Sequence, residues 1–339
     1  DELYTHAGLA DSWIRNIARN SHVPSSGEVA SGSIRSRSVV VAAAGPSLED
    51  RLRGNNRSTK PIISTDTALP ALLRSGDRPA LVVSLDPKPL AAYHLKGGGV
   101  DLPLVASVTA SPALATHLSS AFVHDGHPLV SAAERLAGLE SSQLPTSLGA
   151  SVTHGAIVIA HLAGARDIEL IGGDFSYPDG KPYARGTYVY DWFEKDANRT
   201  RPVEAAAAEM VFLRSRPAEG TPLVYRSELL EKYRSSAEAL LSDGPSAPAG
   251  VTLDQVPTVD THALRGAMPS VLDALMEAPE AQDPVRAFLH TASEATTRAY
   301  LACVPHLSIR AREHQELRAG ARDLVWAKER VIGLLRRYL

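Results

Sequence analysis

The segment VVVAAAGPSLEDRL, residues 39–52, reads as a buried strand that ends at a glycine and continues directly into a helix. Its first half is a run of apolar residues, typical of a strand covered on both faces. Pro46 then stands at a first-turn position, with Glu49 and Asp50 close behind it. Gly45 would let a bound phosphate or base approach the backbone. The alternative is that Gly45 and Pro46 only end one element and begin the next.

The same alternation continues along the chain. Further strands are predicted at PIIST (61–65), ALVVSLD (80–86), LPLVASV (102–108), AFVHDG (121–126) and DIELIGGD (167–174), with helices at 46–52, 67–76, 112–120 and 150–165. Apolar strands separated by helices indicate crossover connections and a parallel sheet. The sequence therefore predicts an α/β fold, a Rossmann-like doubly wound and mostly parallel sheet, with a C-terminal helical region.

Changes in composition and hydrophobic periodicity along the chain predict four segments. They are a lead-in helix and loop (1–37), a Rossmann-like domain (38–216), a connecting segment and linker (217–262) and a helical region (263–339). The chain begins with Asp1 rather than methionine, so we expect the natural chain to extend further.

Composition excludes several classes of protein. The 339 residues are 44% hydrophobic and 22% charged with a net charge of −3, which gives no basic field for nucleic acid. No apolar run is long enough to span a membrane. Cys303 is the single cysteine, so internal disulfides and cysteine-built zinc sites are excluded and a cytoplasmic location is expected.

Small and acidic residues stand at five places, after four of the predicted strands and before the long helix. They are Gly45, Pro46 and Ser47; Asp66; Asp86; Gly149, Ala150 and Ser151; and Gly173, Asp174 and Tyr177. Because the carboxyl ends of parallel strands share one edge of the sheet, these residues predict a polar ligand pocket there. Neither G-x-G-x-x-G nor G-x-x-x-x-G-K-[ST] occurs, so nicotinamide enzymes and P-loop ATPases are disfavoured.

The three strand-end aspartates are the candidate chemical groups. Asp66, Asp86 and Asp174 could each bind a ribose hydroxyl, hold Mg²⁺ against a diphosphate, or act as a general base. For Asp66, a helix cap is an equal alternative. His154, in the first turn of the long helix, is a second candidate base, with a packed histidine as the alternative. His124-Asp125-Gly126-His127 is interpreted as a turn rather than a metal site, and no metal ligands are assigned.

The segment FSYPDGKPYARGTYVYDW, residues 175–192, gathers aromatic residues that are scarce elsewhere. Pro178-Asp179-Gly180 is a sequence typical of turns, and it predicts a hairpin or a flap over the pocket. Lys181, Arg185 and the tyrosines would close on a charged ligand that contains a ring.

Together, AAAGPSL, STDTALPALLRSGDRPALVVSLDP and LGASVTHGAIVIAHLAGARDIELIGGDFSYPDGKPYARGT resemble the central domain of Maf-type (motility-associated factor) flagellin glycosyltransferases. That superfamily includes the archaeal 6-hydroxymethylpterin pyrophosphokinases. The resemblance covers about residues 8–215. It implies transfer of a nonulosonic, sialic-acid-like sugar from a CMP-activated donor to Ser or Thr of flagellin. The matching positions are Gly45, Pro46, Ser47, Asp66, Asp86, Gly149, Ala150, Ser151, Asp174, Tyr177, Asp179 and Lys181.

The chain departs from the family pattern in two places, since VVVAAAGPS lacks an earlier glycine and His154 replaces a small residue. Asp174 or His154 is the expected base. A Mg-ATP-dependent pterin-type pyrophosphokinase is one alternative, with Mg²⁺ on Asp86 and Asp174, and the need for a divalent metal is left open. A non-catalytic Rossmann-like scaffold that presents its C-terminal helices to a partner is the other alternative.

Overall fold

Six parallel strands form one sheet at the centre of the fold. They are β1 Ser38–Ala42, β2 Ile62–Thr65, β3 Leu81–Ser84, β4 Pro103–Ser107, β5 Ser119–Val123 and β6 Asp167–Ile171. Their order across the sheet is β5-β4-β3-β2-β1-β6, and each pair of neighbours is parallel. The computed structural model describes residues 2–26, 36–54, 59–95, 102–115, 119–144, 146–213, 215–218, 223–245, 256–277, 299–314 and 321–339. The predicted α/β class is confirmed.

Helices connect the strands and continue after the sheet. They are α1 Glu2–Asn20, α2 Leu48–Arg53, α3 Leu69–Ser75, α4 Pro112–Ala115, α5 Pro128–Leu136, α6 Val152–Leu162, α7 Tyr188–Asp196, α8 Val203–Phe212, α9 Glu228–Asp243, α10 Thr261–Glu277, α11 Val304–His314 and α12 Ala321–Tyr338. A 3₁₀ helix spans Pro89–Leu95. Of the helices within these ranges, none is both long and apolar enough to cross a membrane.

The two faces of the sheet are covered by different helices. Val82, Leu104 and Phe122 point to a core shared with α1, α5, α10 and α12. Their strand neighbours point the other way, to a core shared with α6 and α9. This alternation of side chains along the strands explains why β1 to β5 are almost continuously apolar.

Several boundaries differ from the prediction. The helix expected at 112–120 is described over Pro112–Ala115, and β5 already begins at Ser119, before the strand start expected at residue 121. Helix α5 was not predicted. The segment 217–262 was expected to be connecting chain, yet it contains α9, a helix of 16 residues that packs on α6. Residues 246–255 of that segment lie outside the described part.

Candidate functional site

The sheet order places a crevice between β1 and β6. The chain steps from β1 to β5 in one direction across the sheet and then returns to the opposite side of β1 for β6. Because the connections that follow β1 and β6 diverge, the carboxyl ends of these two strands form the switch point where ligands bind in open α/β sheets. The Gly45 turn follows β1, and Gly172-Gly173-Asp174 follows β6.

These two loops are joined by direct contacts. The Gly45 N–H donates to the Gly172 carbonyl (2.8 Å), and Asp174 Oδ2 accepts from the Ser47 N–H (3.1 Å) and the Ser47 hydroxyl (3.0 Å). A Cβ at residue 45 would lie 2.1 Å from Asp174 Oδ2 and 2.5 Å from the Gly172 carbonyl oxygen. The group that approaches Gly45 closely in this structure is therefore the Asp174 carboxylate.

Asp174 has the properties of a base in a crevice. Its side chain is half-buried, and burial raises its pKa above the ordinary value, with a smaller contribution from Asp50; the Ser47 hydrogen bonds oppose the shift. The next residue, Phe175, has a φ of 43°, an uncommon conformation for a non-glycine residue. A Cβ at Gly173 would lie 2.4 Å from Leu170 Cδ2, so a larger residue there would require the Leu170 side chain to move.

Asp66 lies under the rim of the sheet and is held by hydrogen bonds from Thr67 and Ser84. It is 1% exposed; Oδ1 accepts from the Thr67 N–H (2.7 Å), and Oδ2 accepts from the Ser84 hydroxyl (2.6 Å). Its Oδ1 also lies 4.0 Å from Nε2 of His94. These contacts bind the ends of β2 and β3 together, so Asp66 has a structural role whether or not it also influences a ligand.

Asp86 follows β3 and is more accessible. It is half-buried, and Oδ1 accepts from the Lys88 N–H (2.9 Å). Burial raises its pKa, the Lys88 hydrogen bond opposes the shift, and the nearby Asp66 charge adds to it. Of the carboxylates predicted at the ends of β2 and β3, Asp86 is the one that a ligand can reach.

The contacts at the start of α6 favour the packed-histidine alternative for His154. The imidazole is fully buried; Nε2 lies 2.9 Å from the Tyr233 carbonyl oxygen, which can only accept, and Nδ1 lies 2.6 Å from the Ser151 hydroxyl. Nε2 therefore carries the proton, and Nδ1 accepts from Ser151. Burial lowers the His154 pKa. With both nitrogens engaged within the chain, His154 supports the start of α6.

The residues before α6 are shaped around this histidine. Gly149 has a φ of 75°, and a Cβ there would lie 2.6 Å from the His154 Cβ. Gly149 and Ala150 are exposed, and Ser151 caps the helix from a half-buried position. The predicted residues of the turn after β1 also differ in exposure, since Ser47 is exposed and Pro46 is buried.

Residues 175–187, called the flap from here on, cross the rim between β1 and β2. The Ala184 N–H donates to the Ala44 carbonyl (2.8 Å), and the Arg185 N–H donates to Glu49 Oε1 (2.9 Å). Lys181 Nζ lies 3.8 Å from Glu49 Oε2, and the Arg185 side chain is exposed. The buried carboxylate of Glu49 thus holds the flap on α2.

The predicted hairpin is wrong, whereas a turn at 178–180 is present. Asp179 and Gly180 have positive φ, and the Lys181 N–H donates to the Pro178 carbonyl. The strand before the turn, β7 (Tyr177–Pro178), pairs with β9 (Val224–Arg226), which also pairs with β8 (Arg216–Pro217). The chain after the turn becomes the rest of the flap and then α7, because β7 takes its strand partner from a distant part of the sequence.

Sequence reasoning missed Glu49, His94, Asn16 and Asn20. Asn16 Nδ2 donates to the Pro87 and Thr109 carbonyls, and Asn20 Nδ2 donates to the Val108 and Ala110 carbonyls, all at 2.9 Å. The four-residue spacing places both amides on one helix face, against the loops after β3 and β4. That spacing inside an amphipathic helix was the available signal.

His124-Asp125-Gly126-His127 leads from β5 into α5. His127 Nδ1 accepts from the Leu129 N–H and so caps α5, and His124 Nε2 contacts the His127 carbonyl. Across the described ranges, no three His, Cys, Asp or Glu side chains converge as metal ligands.

Comparison with known proteins assigns the family. Residues 11–180 match the family model described as 6-hydroxymethylpterin diphosphokinase MptE-like. The chain belongs to this MptE-like family. The match spans the sheet, the switch point and the first half of the flap.

Two individual proteins are similar to this member of the family. An uncharacterized protein of Treponema pallidum (strain Nichols) is 34% identical over 121 residues, which are 35% of this chain and 42% of that protein. The structure of the Maf glycosyltransferase from Magnetospirillum magneticum AMB-1 superposes with a TM-score of 0.51 and 14% identity, covering 97% of this chain and 54% of that one. The second likeness concerns the fold. The chain spans about half the length of these proteins or less.

Proposed function

We propose that the protein is a glycosyltransferase that moves a nonulosonic acid from a CMP-activated donor to a Ser or Thr hydroxyl of flagellin. The observation that carries the proposal is Asp174, a half-buried carboxylate at the switch point that is held against the first turn after β1. The fold likeness to the Maf glycosyltransferase and the MptE-like family support a nucleotide-linked donor. The sugar, the nucleotide and the acceptor are parts of the proposal.

The roles follow from which groups a ligand can reach. Asp174 takes the proton of the acceptor hydroxyl, because burial raises its pKa and thereby makes it a stronger base than an exposed aspartate. The Ser47 hydroxyl, which donates to Asp174, and the Ser151 hydroxyl, which donates to His154, would have to turn from these partners to donate to anionic groups of the donor. Lys181 and Arg185 on the flap pair with the carboxylate of the sugar or the departing phosphate. Tyr177 lies in the small sheet at the base of the flap.

A divalent metal would have to be shared with the nucleotide. No preformed three-ligand group is found in the described ranges, whereas Mg²⁺ is commonly held by one or two carboxylates together with phosphate oxygens. Asp86 and Asp174 are accessible carboxylates of that kind. A bound Mg²⁺ would neutralise phosphate charge near them.

The second candidate function is a Mg-ATP-dependent pterin-type pyrophosphokinase. The observation that favours it is the description of the family model itself, which names a 6-hydroxymethylpterin diphosphokinase. In that case Asp86 and Asp174 would hold Mg²⁺ and ATP would be the donor.

A thermal-shift panel with CMP, CDP, CTP and ATP, each with Mg²⁺ and with EDTA, separates these functions. A ligand at 100 times its Kd stabilises a protein by about 2.7 kcal/mol, which is easily detected. Stabilisation by CMP that survives EDTA supports the glycosyltransferase. Stabilisation by ATP alone, and only with Mg²⁺, supports the pyrophosphokinase. No stabilisation by any of the four leaves the scaffold alternative.

Turnover then tests Asp174. With a CMP-nonulosonate donor and a flagellin acceptor, Asp174→Asn is expected to lower kcat by about 10²- to 10⁴-fold, the usual contribution of a general base. Asp50→Asn is the matched control, since Asp50 is exposed and acts on Asp174 only through its charge. Full turnover by folded Asp174→Asn would rule out the assignment.

A further inference from the structure

A second group of polar side chains lies at the ends of β2 and β3. We call Asp66, Asp86, His94, Tyr93 and Tyr188 the β2–β3 corner. His94, on the 3₁₀ helix, is 4% exposed, and its Nδ1 is buried without a hydrogen-bond partner among the described residues. A buried nitrogen without a hydrogen-bond partner is uncommon and calls for an explanation.

The two carboxylates of the corner have different tasks. Both oxygens of Asp66 accept hydrogen bonds from Thr67 and Ser84, so Asp66 faces inward and stands beside His94. Asp86 has only Oδ1 engaged, by the Lys88 N–H, and within the described ranges Oδ2 has no hydrogen-bond partner. Asp86 Oδ2 is therefore an unused acceptor of the corner, and His94 Nδ1 is a buried nitrogen without a hydrogen-bond partner among the described residues.

Burial lowers the His94 pKa and outweighs the opposing effect of Asp66 and Asp86, so the imidazole is uncharged near neutral pH. Burial also raises the pKa of Tyr183, on the flap nearby, to about 12, so its hydroxyl stays neutral. The basic side chain that acts on Asp86 is Lys88, which is exposed.

Aromatic rings line the same corner. Tyr188 meets His94 edge-on with ring centroids 4.3 Å apart, and Tyr93 stacks against Tyr188 at 6.4 Å. Tyr93 is 44% exposed, so part of its ring faces solvent. Acceptors beside aromatic rings suit a flat ligand that carries N–H donors.

We propose that the β2–β3 corner is the base-recognition site of this protein and selects a nucleobase with an exocyclic amino group, cytosine over uracil. Cytosine presents an N4–H₂ donor where uracil presents the O4 acceptor. Asp86 Oδ2 accepts from that amino group, whereas a uracil O4 in its place is itself an acceptor and offers the carboxylate no hydrogen. The inference rests on the proposed function only in requiring that the protein binds a pyrimidine nucleotide.

The test compares CMP with UMP by isothermal titration calorimetry near pH 8, where Asp86 is ionised. The two nucleotides share ribose and phosphate, so the ratio of their Kd values reports the base alone. CMP is expected to bind about 10- to 100-fold more tightly than UMP. Asp86→Asn is expected to bring the two Kd values together, because an amide both donates and accepts. Asp243→Asn, with the same charge change on the exposed end of α9, keeps the preference.

The outcomes separate this inference from the proposed function. Equal affinities for CMP and UMP, a preference for UMP, or an unchanged preference in folded Asp86→Asn would each overturn the inference while nucleotide binding stands. An equal loss of affinity for CMP and UMP in folded Asp86→Asn would also overturn the inference, because Asp86 would then bind the ribose or phosphate that the two nucleotides share. Binding of neither CMP, UMP nor ATP would reject the inference and the proposed function together.

Discussion

Glycine is required at position 45 because other residues of the same chain lie against its backbone. The place that a side chain would take is occupied by Asp174 Oδ2 and the Gly172 carbonyl oxygen. The same carboxylate accepts two hydrogen bonds from Ser47. Gly45 therefore fixes the distance between the two loops of the switch point and, with it, the position of the proposed base.

Gly45→Ala is expected to destabilise the protein by about 1–3 kcal/mol, because its Cβ would overlap Asp174 and the backbone at Gly172. Urea denaturation followed by circular dichroism measures the change. Gly266→Ala is the control, since nothing lies within 4 Å of its Cβ and it is inside α10, where alanine is favoured by up to about 1 kcal/mol. Equal stability of Gly45→Ala and the native protein would show that the two loops separate without cost.

The strand-end aspartates show which properties of single residues could be predicted from the sequence. Their alignment on one rim follows from strand order, so Asp66, Asp86 and Asp174 could all be placed. Their exposure could not, because it depends on partners far along the chain, such as Ser84 for Asp66 and Ser47 for Asp174. His154 was ambiguous for the same reason, since its partner is the carbonyl of Tyr233.

Among the elements, the flap depends on α2. Glu49, in the first turn of α2, accepts from the Arg185 N–H and lies near Lys181 and Arg53. A second attachment lies further along, where Arg74 contacts Asp191 of α7 and the Gly186 carbonyl. The flap is thus fastened on both sides of Arg185, a site of cleavage by trypsin.

Glu49→Ala is expected to increase the rate of tryptic cleavage after Arg185 by about tenfold, because one attachment of the flap is lost and local opening becomes easier. Mass spectrometry of timed digests identifies the cut. Glu49→Gln should cleave more slowly than Glu49→Ala, since its amide oxygen still accepts from the Arg185 N–H. Asp50→Ala, an exposed change on the same helix, serves as the second control. Equal rates for Glu49→Ala and Asp50→Ala would contradict the role of Glu49.

The flap also marks where local signals fail. Pro178-Asp179-Gly180 correctly predicted a turn, because positive φ at the central residues is a local property. The hairpin was wrong because pairing is decided by tertiary structure, and Tyr177 pairs with Tyr225 instead. Glu49 was not predicted, since nothing in LEDRL distinguishes a buried carboxylate from a helix-end charge.

Across the whole molecule, the N-terminal and C-terminal helices form part of one structure with the sheet. Residues of α1, α10 and α12 share a core with β3, β4 and β5. Asp11 on α1 accepts from Arg330 on α12 and contacts Nε2 of buried His306 on α11 (2.9 Å). Periodicity predicted that α10 exists, but not which layer it joins, because the apolar face of a helix does not identify the element against which it packs.

Buried histidines make the stability of this protein depend on pH. Five of them have a pKa lowered mainly by burial: His94, His124, His154, His161 and His306. In the unfolded chain each would titrate near pH 6.5. Above that pH both states are neutral and the full stability is present. Below it the unfolded chain binds protons that the folded protein does not, so stability is lost as the pH falls.

The free energy of unfolding is therefore expected to fall between pH 7 and pH 5.5, by up to about 1.4 kcal/mol per pH unit for each histidine that stays neutral. Burial raises the pKa of Asp86, Asp125 and Asp174, which opposes the loss, chiefly at lower pH where carboxylates titrate. Urea denaturation at pH 7, 6.25 and 5.5 measures the slope. His161→Gln should make it shallower, whereas His262→Gln, an exposed change on α10, should not. Stability that is constant or rises toward pH 5.5 would mean that these histidines accept protons without unfolding.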